Sequence, residues 1–369
     1  MRSVSRNLAK MSVDLDAAAT APLRPEAHEA MDRWLRHGGG NPSSAHGLGR
    51  QARTALEDAR DEIAALAGAA PAEVVFTSGG TEADNLAIKA GRGLALGCVA
   101  TEHKAVLLPA AAAGAQRVGV KPDGTVDLRA LKPMNLEMLS VAVVNNEIGT
   151  VQDLGAIRTA IGRKAILHTD AAQAPAWIDV ALGCAPADLI TLSAHKFGGP
   201  AGIGALVVRR HVSLEPLVLG GGQERELRSG TQNVAGAVGM AVALRMATVQ
   251  RANTVARVAK LRDILLDALE ALPGIQETVP RNVRVANNAH VLLPQTDIEA
   301  LLVLLDDAGI YASAGSACAS GAMEPSHVLE AIGAPGLSGL RLTLSWLTTP
   351  ADVEIAVKAI TQATDRLAA

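Results

Sequence analysis

Between about residue 70 and residue 208, short runs of β-branched and aliphatic residues alternate with segments of helical periodicity. Strands that alternate with helices form mainly parallel sheets, because each helix carries the chain back to the edge where the next strand begins. The pattern therefore predicts an α/β protein whose central sheet is covered by helices. The predicted strands span residues 73–77, 97–101, 139–145, 165–169, 188–193 and 203–208, and helices are expected at 82–90 and 154–163.

The flanking regions predict further helices and a second, smaller domain. Residues 50–67 have an amphipathic helical pattern, and residues 234–272 have the pattern of one or two long helices. Shorter strands are expected at 283–285, 290–293 and 339–345. A chain of 369 residues commonly forms two domains. We therefore expect a large domain over residues 13–250 and an α+β domain over 251–369, with residues 1–20 packed against the second.

Charge, hydropathy and cysteine usage exclude several classes of protein. The 34 basic and 37 acidic residues are well mixed, so no nucleic-acid-binding surface is predicted. The apolar runs at 105–115 and 234–244 fall short of the roughly 20 residues that cross a bilayer, and no membrane association is expected. Cys98, Cys184 and Cys318 form no CxxC pair, so we predict no disulfide, no intrinsic metal site and a reducing, cytoplasmic setting.

One of these cysteines has unusual neighbours. Cys318 lies in SAGSACASGAMEP, residues 313–325, a segment of small residues with little bulk to bury a thiol. The segment has the composition of a mobile loop, and from its own residues it is either a linker with an incidental cysteine or a carrier of a reactive one.

The first candidate site is a glycine-rich turn between a predicted strand and a predicted helix, in VVFTSGGTEADNLAIKA, residues 74–90. Free backbone N–H groups at a helix start, together with the hydroxyl of Thr81, can bind an anion such as phosphate. The turn matches neither GxGxxG nor a P-loop, so no dinucleotide or nucleoside triphosphate is indicated. By itself it is equally consistent with a simple turn.

Two further segments place polar residues directly after predicted strands. In ILHTDAAQAP, Asp170 follows a buried-looking strand and Gln173 comes three positions later; Asp170 alone could simply cap a helix. In LITLSAHKFGGPAGIGAL, His195 and Lys196 precede eight residues that include four glycines. Lys196 is a candidate amine nucleophile, or an ordinary surface lysine.

Taken together, the three segments supply what pyridoxal phosphate requires. The turn can bind the phosphate, the Asp170 carboxylate can pair with the ring nitrogen, and Lys196 can form a Schiff base with the aldehyde. The carboxylate keeps the ring nitrogen protonated, so that the ring can accept electrons from a carbanion.

The ordered motifs of the chain resemble those of the NifS/IscS-type cysteine desulfurases, in the class V aminotransferase branch of fold-type I pyridoxal phosphate enzymes. The resemblance covers roughly residues 13 to 360. It implies a large domain with a mainly parallel seven-stranded sheet, a smaller C-terminal α+β domain that carries the catalytic cysteine, and a homodimer. The motifs are LDAAATAP (15–22), GNPSSAH (40–46), FTSGGTEADNLAI (76–88), TEHKAV (101–106), VNNEIGTVQ (144–152), HTDAAQ (168–173), SAHKFGGPAGIGAL (193–206), GGGQERELRSGT (220–231) and SAGSACAS (313–320).

Carried over by position, the resemblance implies a role for each matched residue. Lys196 binds the cofactor covalently, Asp170 pairs with its ring nitrogen, and Gln173 bonds its ring hydroxyl. His103 stacks on the ring and moves protons, while Arg341, aided by Asn145, binds the substrate carboxylate. The phosphate is bound by Gly80, Thr81, Ser193 and His195, and by Thr231 of the neighbouring subunit.

The implied reaction gives Cys318 a purpose. Its thiolate attacks the sulfur of the substrate L-cysteine, leaves a persulfide on Cys318, and releases L-alanine. The persulfide then passes to an acceptor such as an iron–sulfur scaffold protein, and Cys318 could transiently ligate a nascent cluster. Two alternative functions remain open. A selenocysteine lyase or another class V aminotransferase would use the same cofactor for a different reaction. A non-enzymatic scaffold protein would have at least one altered cofactor residue.

The chain departs from the family pattern at three places. Pro200-Ala201-Gly202 lacks the basic residue of the usual PKGIG, DAAATAP lacks a tyrosine and paired threonines, and Ser345-Trp346 replaces a small glycine-containing turn. None of these is an inferred cofactor residue, so the departures bear on partner choice and fine specificity.

Overall fold

The computed structural model describes residues 12–36, 40–293, 296–315 and 325–368, and Cys318 lies outside these ranges. The strands are β1 Val13–Asp14, β2 Val74–Thr77, β3 Leu96–Val99, β4 Gln116–Val118, β5 Met138–Ser140, β6 Ile166–Asp170, β7 Leu189–Ser193, β8 Gly204–Val208, β9 Gln276–Glu277, β10 Asn288–Leu293, β11 Ile310–Tyr311 and β12 Ser338–Thr343. The helices are α1 Pro25–Arg36, α2 Gly47–Leu66, α3 Gly80–Lys89, α4 Lys104–Ala112, α5 Leu128–Leu131, α6 Leu154–Ile161, α7 Val180–Gly183, α8 Val234–Glu270, α9 Ile298–Asp307, α10 His327–Ala331 and α11 Pro350–Ala368.

The central sheet has seven strands in the order β2-β8-β7-β6-β5-β3-β4. The strands from β7 to β4 are parallel to their neighbours, and β8 alone runs antiparallel to the strands on either side of it. The predicted mainly parallel sheet is confirmed. Because its parallel strands end at one edge, the polar residues that follow β2, β3, β6 and β7 are brought together there.

A second, three-stranded antiparallel sheet has the order β12-β10-β9. Its register places Arg341 of β12 opposite His290 of β10. Strand β1 pairs in parallel with β11, with Val13 opposite Ile310, so the described part of the N-terminal segment contacts the C-terminal region.

Helix α8 connects the regions on either side of residue 250. It is one continuous helix of 37 residues, about 55 Å long at 1.5 Å per residue. Its buried residues lie at 234–247 and 258–269, and none of the residues between these stretches is buried. The domain division proposed near residue 250 thus falls within the exposed middle of α8, where the helix passes between the two packed regions.

Several predicted elements differ from the structure in physically instructive ways. Strand β4 was not predicted, because it is short and two of its three residues are exposed. The strand predicted at 283–285 is wrong: a 3₁₀ helix spans Arg281–Val283 instead. The strand predicted at 139–145 is regular only over β5, although the Val141 and Val143 N–H groups still donate to carbonyls of His168 and Asp170.

The hydrophobic core is built largely from aliphatic side chains, as the aromatic content of 2% requires. Cys98 and Cys184 are free thiols buried in this packing. Among the described residues, no helix is both long enough and apolar enough to cross a membrane.

Candidate active site

A cavity of about 530 Å³ opens at the carboxyl edge of the central sheet. The turns after β2, β3, β6 and β7 form its floor, and β12 contributes from the second sheet. The structure thus brings most of the sequence-predicted site residues together around one space. Those that line it are Gly80, Thr81, His103, Asp170, Gln173, Ser193, His195, Lys196 and Arg341.

The glycine-rich turn forms the start of α3, as predicted. Gly79 is the cap residue and offers no side chain, so the first N–H groups of the helix are not covered by a capping oxygen. A Cβ at Gly80 would lie 3.2 Å from the Ser193 Cβ, so any side chain would crowd the space between them. The turn and the end of β7 therefore form a narrow, donor-rich cradle of the kind that binds phosphate.

Asp170 ends β6 at the cavity floor. Its Oδ1 accepts a hydrogen bond of 2.8 Å from the Ala172 N–H. Burial raises the pKa of the Asp170 carboxyl, and the Ala172 bond and the nearby His103 and Lys196 only partly oppose this. Asp170 forms no ion pair with another described residue, so a protonated ring nitrogen could pair with its carboxylate.

Lys196 lies in a 3₁₀ turn directly after β7. Its Nζ donates to the carbonyls of Ala18 (2.6 Å) and Ala19 (2.8 Å), which direct the amine toward the cavity wall formed by the N-terminal segment. Burial lowers the pKa of Lys196 to about 8, with a further contribution from Arg341. The lowered pKa enlarges the uncharged fraction of the amine near neutral pH, and the uncharged amine is the nucleophilic form.

Two histidines of the cavity are held as neutral imidazoles. Nδ1 of His103 accepts a hydrogen bond of 3.1 Å from the Ala105 N–H, so the ring proton is carried on Nε2. Burial lowers the pKa of His103. Burial, together with Lys196, lowers the pKa of His195 to about 4, and its Nδ1 lies 3.1 Å from the Thr20 hydroxyl.

Arg341 and Gln173 also reach the cavity. Arg341 pairs with Asp16 at 2.8 Å and donates to the Asn146 carbonyl at 3.1 Å, while its buried Nε has no hydrogen-bond partner among the described residues. Arg341 lines the cavity, and a guanidinium can bind a carboxylate through two parallel N–H groups. The Gln173 amide donates 2.9 Å to the Ala18 carbonyl.

Three sequence-predicted residues lie outside the lining. Asn145 uses its side chain for its own loop: it donates to the Thr101 carbonyl and accepts from the Glu147 and Ile148 N–H groups. It therefore shapes the wall, while its neighbour Asn146 lines the cavity. Thr231 is exposed and away from the cavity of its own chain. Cys318 falls outside the described residues.

The structure also adds groups that sequence reasoning did not single out. Asp84, Glu147 and His327 line the cavity, and the buried Glu102 precedes His103 of the lining in the chain. Burial and the nearby Asp170 raise the pKa of Asp84 and that of Glu102 well above the usual range. Glu147 and Glu102 lie inside the motifs VNNEIGTVQ and TEHKAV, where an acidic residue among mostly uncharged ones was an available signal; for His327 there was none.

The departures from the family pattern have visible consequences. Ala201 lines the cavity where a basic side chain is usual. The Trp346 ring lies 4.0 Å from the Arg24 guanidinium, and a Cβ at Gly198 would come within 2.6 Å of the same ring. The Trp346 side chain therefore packs against Arg24 and Gly198, close to the segment that contains Lys196.

Comparison with known proteins agrees with this geometry. The family model for aminotransferase class-V matches residues 13–355. A protein named cysteine desulfurase IscS from Dictyoglomus turgidum is 38% identical over 379 residues, covering 97% of this chain and 96% of that protein. A solved NifS-like protein superposes with a TM-score of 0.90 at 32% identity, over 97% of this chain and all of the other. The structure of SspA in complex with cysteine gives a TM-score of 0.77 at 29% identity, over 92% of this chain and 100% of that one.

The chain belongs to the class-V aminotransferase family. Its fold is that of the NifS-like members of that family, as the motifs implied. The relatives that it matches over nearly their whole length are named cysteine desulfurases, and within the family it resembles the IscS type.

Proposed function

We propose that this protein is a pyridoxal phosphate-dependent cysteine desulfurase that converts L-cysteine to L-alanine and carries the released sulfur as a persulfide on Cys318. The main support for the proposal is that Lys196, Asp170 and the N-terminus of α3 line the same cavity. The names of the relatives, and the cysteine complex of SspA, favour cysteine as the substrate.

The residues present fit the cofactor. The cradle of Gly80, Thr81 and Ser193 suits its phosphate, and the neutral His195 can add one N–H donor. Asp170, a buried carboxyl group on the cavity wall, suits the ring nitrogen. Gln173, which also lines the cavity, is the candidate donor to the ring hydroxyl.

Lys196 would bind the cofactor covalently, and its lowered pKa favours the uncharged amine that this requires. When bound, the cofactor supplies an electron sink that stabilises negative charge on the substrate carbon. The remaining chemistry falls to the protein. Arg341 orients the substrate carboxylate, and His103, with its proton on Nε2, supplies a hydrogen-bond donor at the cavity.

Cys318 is the nucleophile of the sulfur transfer. Its thiolate forms a sulfur–sulfur bond with the substrate thiol while the substrate carbon–sulfur bond breaks. The electron pair of that bond stays with the carbon, which takes up a proton and leaves as alanine. A thiolate nucleophile that must stay reduced fits a reducing compartment, and we place the protein in the cytoplasm.

A homodimer and a protein acceptor complete the proposal. Thr231 is exposed, and Leu219 in the same loop region has 81% of its surface exposed. A second copy that covers this region would bring Thr231 to the phosphate of its neighbour's cofactor. The sulfur acceptor is proposed to be a protein of iron–sulfur cluster assembly.

The function is tested by the products of cysteine. With pyridoxal phosphate, cysteine and a reductant, the protein is expected to form alanine and sulfide in equal amounts. Keto-acid formation in place of alanine would identify an aminotransferase, and turnover of selenocysteine alone would identify a selenocysteine lyase. Either outcome would contradict the proposal.

The carboxylate-binding role predicts a selective effect of Arg341→Ala. We expect KM for cysteine to rise about a hundredfold, because two charge-assisted hydrogen bonds to the substrate are lost. Cysteamine, which lacks the carboxylate, should bind the variant and the wild type equally. An equal loss for both compounds, measured by the spectral change of the bound cofactor, would mean that Arg341 only maintains the structure through Asp16.

A further inference from the structure

Glu147 is a buried acid at the cavity wall that the proposed reaction does not use. It is 2% exposed and lines the cavity. Its backbone is fixed on both sides, since its N–H donates to Asn145 Oδ1 at 2.9 Å and its carbonyl accepts from Asn288 Nδ2 at 2.8 Å. The carboxyl group is therefore presented from a rigid loop.

This carboxyl contacts the chain on both sides of residues 316–324. On one side, Ser326 Oγ lies 2.5 Å from Glu147 Oε1. Ser326 Oγ also accepts the Leu329 N–H as the cap of α10, so its single proton is free to be donated to Glu147. On the other side, a Cβ at Gly315 would lie 2.5 Å from Glu147 Cγ and 2.6 Å from Cδ.

The Gly315 contact explains why glycine occupies that position. Its φ of +80° and the absence of a side chain allow the backbone to lie directly against the Glu147 carboxyl group. A larger residue would displace either the chain or the acid. Gly315 and Ser326, which flank residues 316–324 in the chain, thus both contact the Glu147 side chain.

The charged and titratable groups near Glu147, together with its burial, set the pKa of its carboxyl group. Arg341 is the cation that acts on it, and Nε2 of the buried, neutral His290 lies 4.0 Å from Oε1. Burial raises the pKa of Glu147 to about 7, against the opposing effects of Ser326 and Arg341. A glutamine at this position, which has a neutral amide, is therefore similar to Glu147 in shape and charge near neutral pH.

We propose that Glu147 is a positioning residue: it holds Gly315 and Ser326, the described residues on either side of the segment that contains Cys318, at the cavity wall beside Arg341. The inference rests on the proposed function, in which the Cys318 thiolate must meet a substrate held by Arg341. Fixing both ends of a chain segment raises the effective concentration of a group within it. The tie acts through an acceptor oxygen and through packing, and requires no proton transfer by Glu147.

The test compares Glu147→Gln with Glu147→Ala in the cofactor-loaded enzyme. Glutamine keeps the acceptor for Ser326 and the contact with Gly315, whereas alanine removes both. We expect kcat for alanine formation to stay within about threefold for Glu147→Gln and to fall at least about tenfold for Glu147→Ala, with KM nearly unchanged in each. Equal losses in the two variants would indicate a proton-transfer or charge role and would overturn the proposal.

Ser326→Ala tests the same tie from the other partner and covers the case in which Glu147→Ala does not fold. It should lower kcat to a similar extent, and where both single variants fold, the double variant should lose little more than either. Asp297→Ala is the matched control: it removes the cap of α9, which accepts the Ala300 N–H, without touching Glu147. A comparable drop in melting temperature with unchanged kcat is expected.

The failure of this inference can be told apart from failure of the proposed function. If the wild type forms no alanine from cysteine, the function is wrong. If the wild type is active and both Glu147→Ala and Ser326→Ala retain its kcat, only the positioning role is wrong. Binding of cysteine, followed by the spectral change of the cofactor, should be normal in every variant.

Discussion

Replacing Lys196 by alanine is expected to give a folded protein that holds pyridoxal phosphate only non-covalently and turns over cysteine at least about a thousandfold more slowly. Lys196 is the amine at the cavity wall whose burial lowers its pKa to about 8. The cradle of α3 and Asp170 remain in the variant, so affinity for the phosphate and ring should persist. Borohydride should therefore trap the cofactor on the wild type at Lys196 and leave the variant unlabelled.

The pH dependence of cofactor uptake tests the same residue in the wild type. Only the uncharged amine can attack the aldehyde, so the uptake rate should rise with pH through about 8 and then level off. Lys260→Ala, on the exposed side of α8, is the control and should behave as the wild type. Borohydride labelling of any lysine other than Lys196 would contradict the assignment.

Replacing Cys318 by serine is expected to abolish alanine formation while leaving cysteine binding intact. A hydroxyl is a far weaker nucleophile toward sulfur than a thiolate, so the substrate carbon–sulfur bond should not break. The cofactor spectrum should still change when cysteine is added, because Lys196, Asp170 and Arg341 are untouched. Amino-acid analysis of the reaction mixture should show no alanine above background.

The two buried cysteines provide the matched controls. Burial raises the pKa of the Cys98 thiol, and it raises the pKa of Cys184 to about 12, so neither forms a thiolate near neutral pH. Cys98→Ser and Cys184→Ser should therefore keep normal turnover wherever the protein folds. Normal turnover by Cys318→Ser, or its loss only in Cys184→Ser, would remove Cys318 from the mechanism.

Most of the central sheet could be predicted, since buried parallel strands leave a strong pattern in sequence. Strand β7 is a fully buried run of five apolar and small polar residues, β6 buries four of its five residues, and each strand begins and ends within one residue of its predicted position. Strand β4 could not be found in this way, because its Gln116 and Arg117 are exposed and its pairing with β3 depends on the rest of the sheet.

The sequence predicted which residues lie together better than it predicted the contacts that they make. Lys196 and Asp170 line one cavity as expected, because each follows a strand that ends at the same edge of the sheet. The sequence could not show that the Asn145 side chain hydrogen-bonds to the backbone at Thr101. Nor could it show that Glu147 contacts Ser326, which lies 179 positions later in the chain. Such contacts join segments that are far apart in the sequence and form only in the folded chain.

The central claim is that sulfur from cysteine is carried on Cys318. The most direct measurement is to incubate the cofactor-loaded protein with cysteine, without a reductant, and to locate the added sulfur by mass spectrometry of its peptides. The account predicts one extra sulfur atom on the peptide that contains Cys318 and none on those with Cys98 or Cys184. Sulfur found on either of the latter, with Cys318 unmodified, would contradict it.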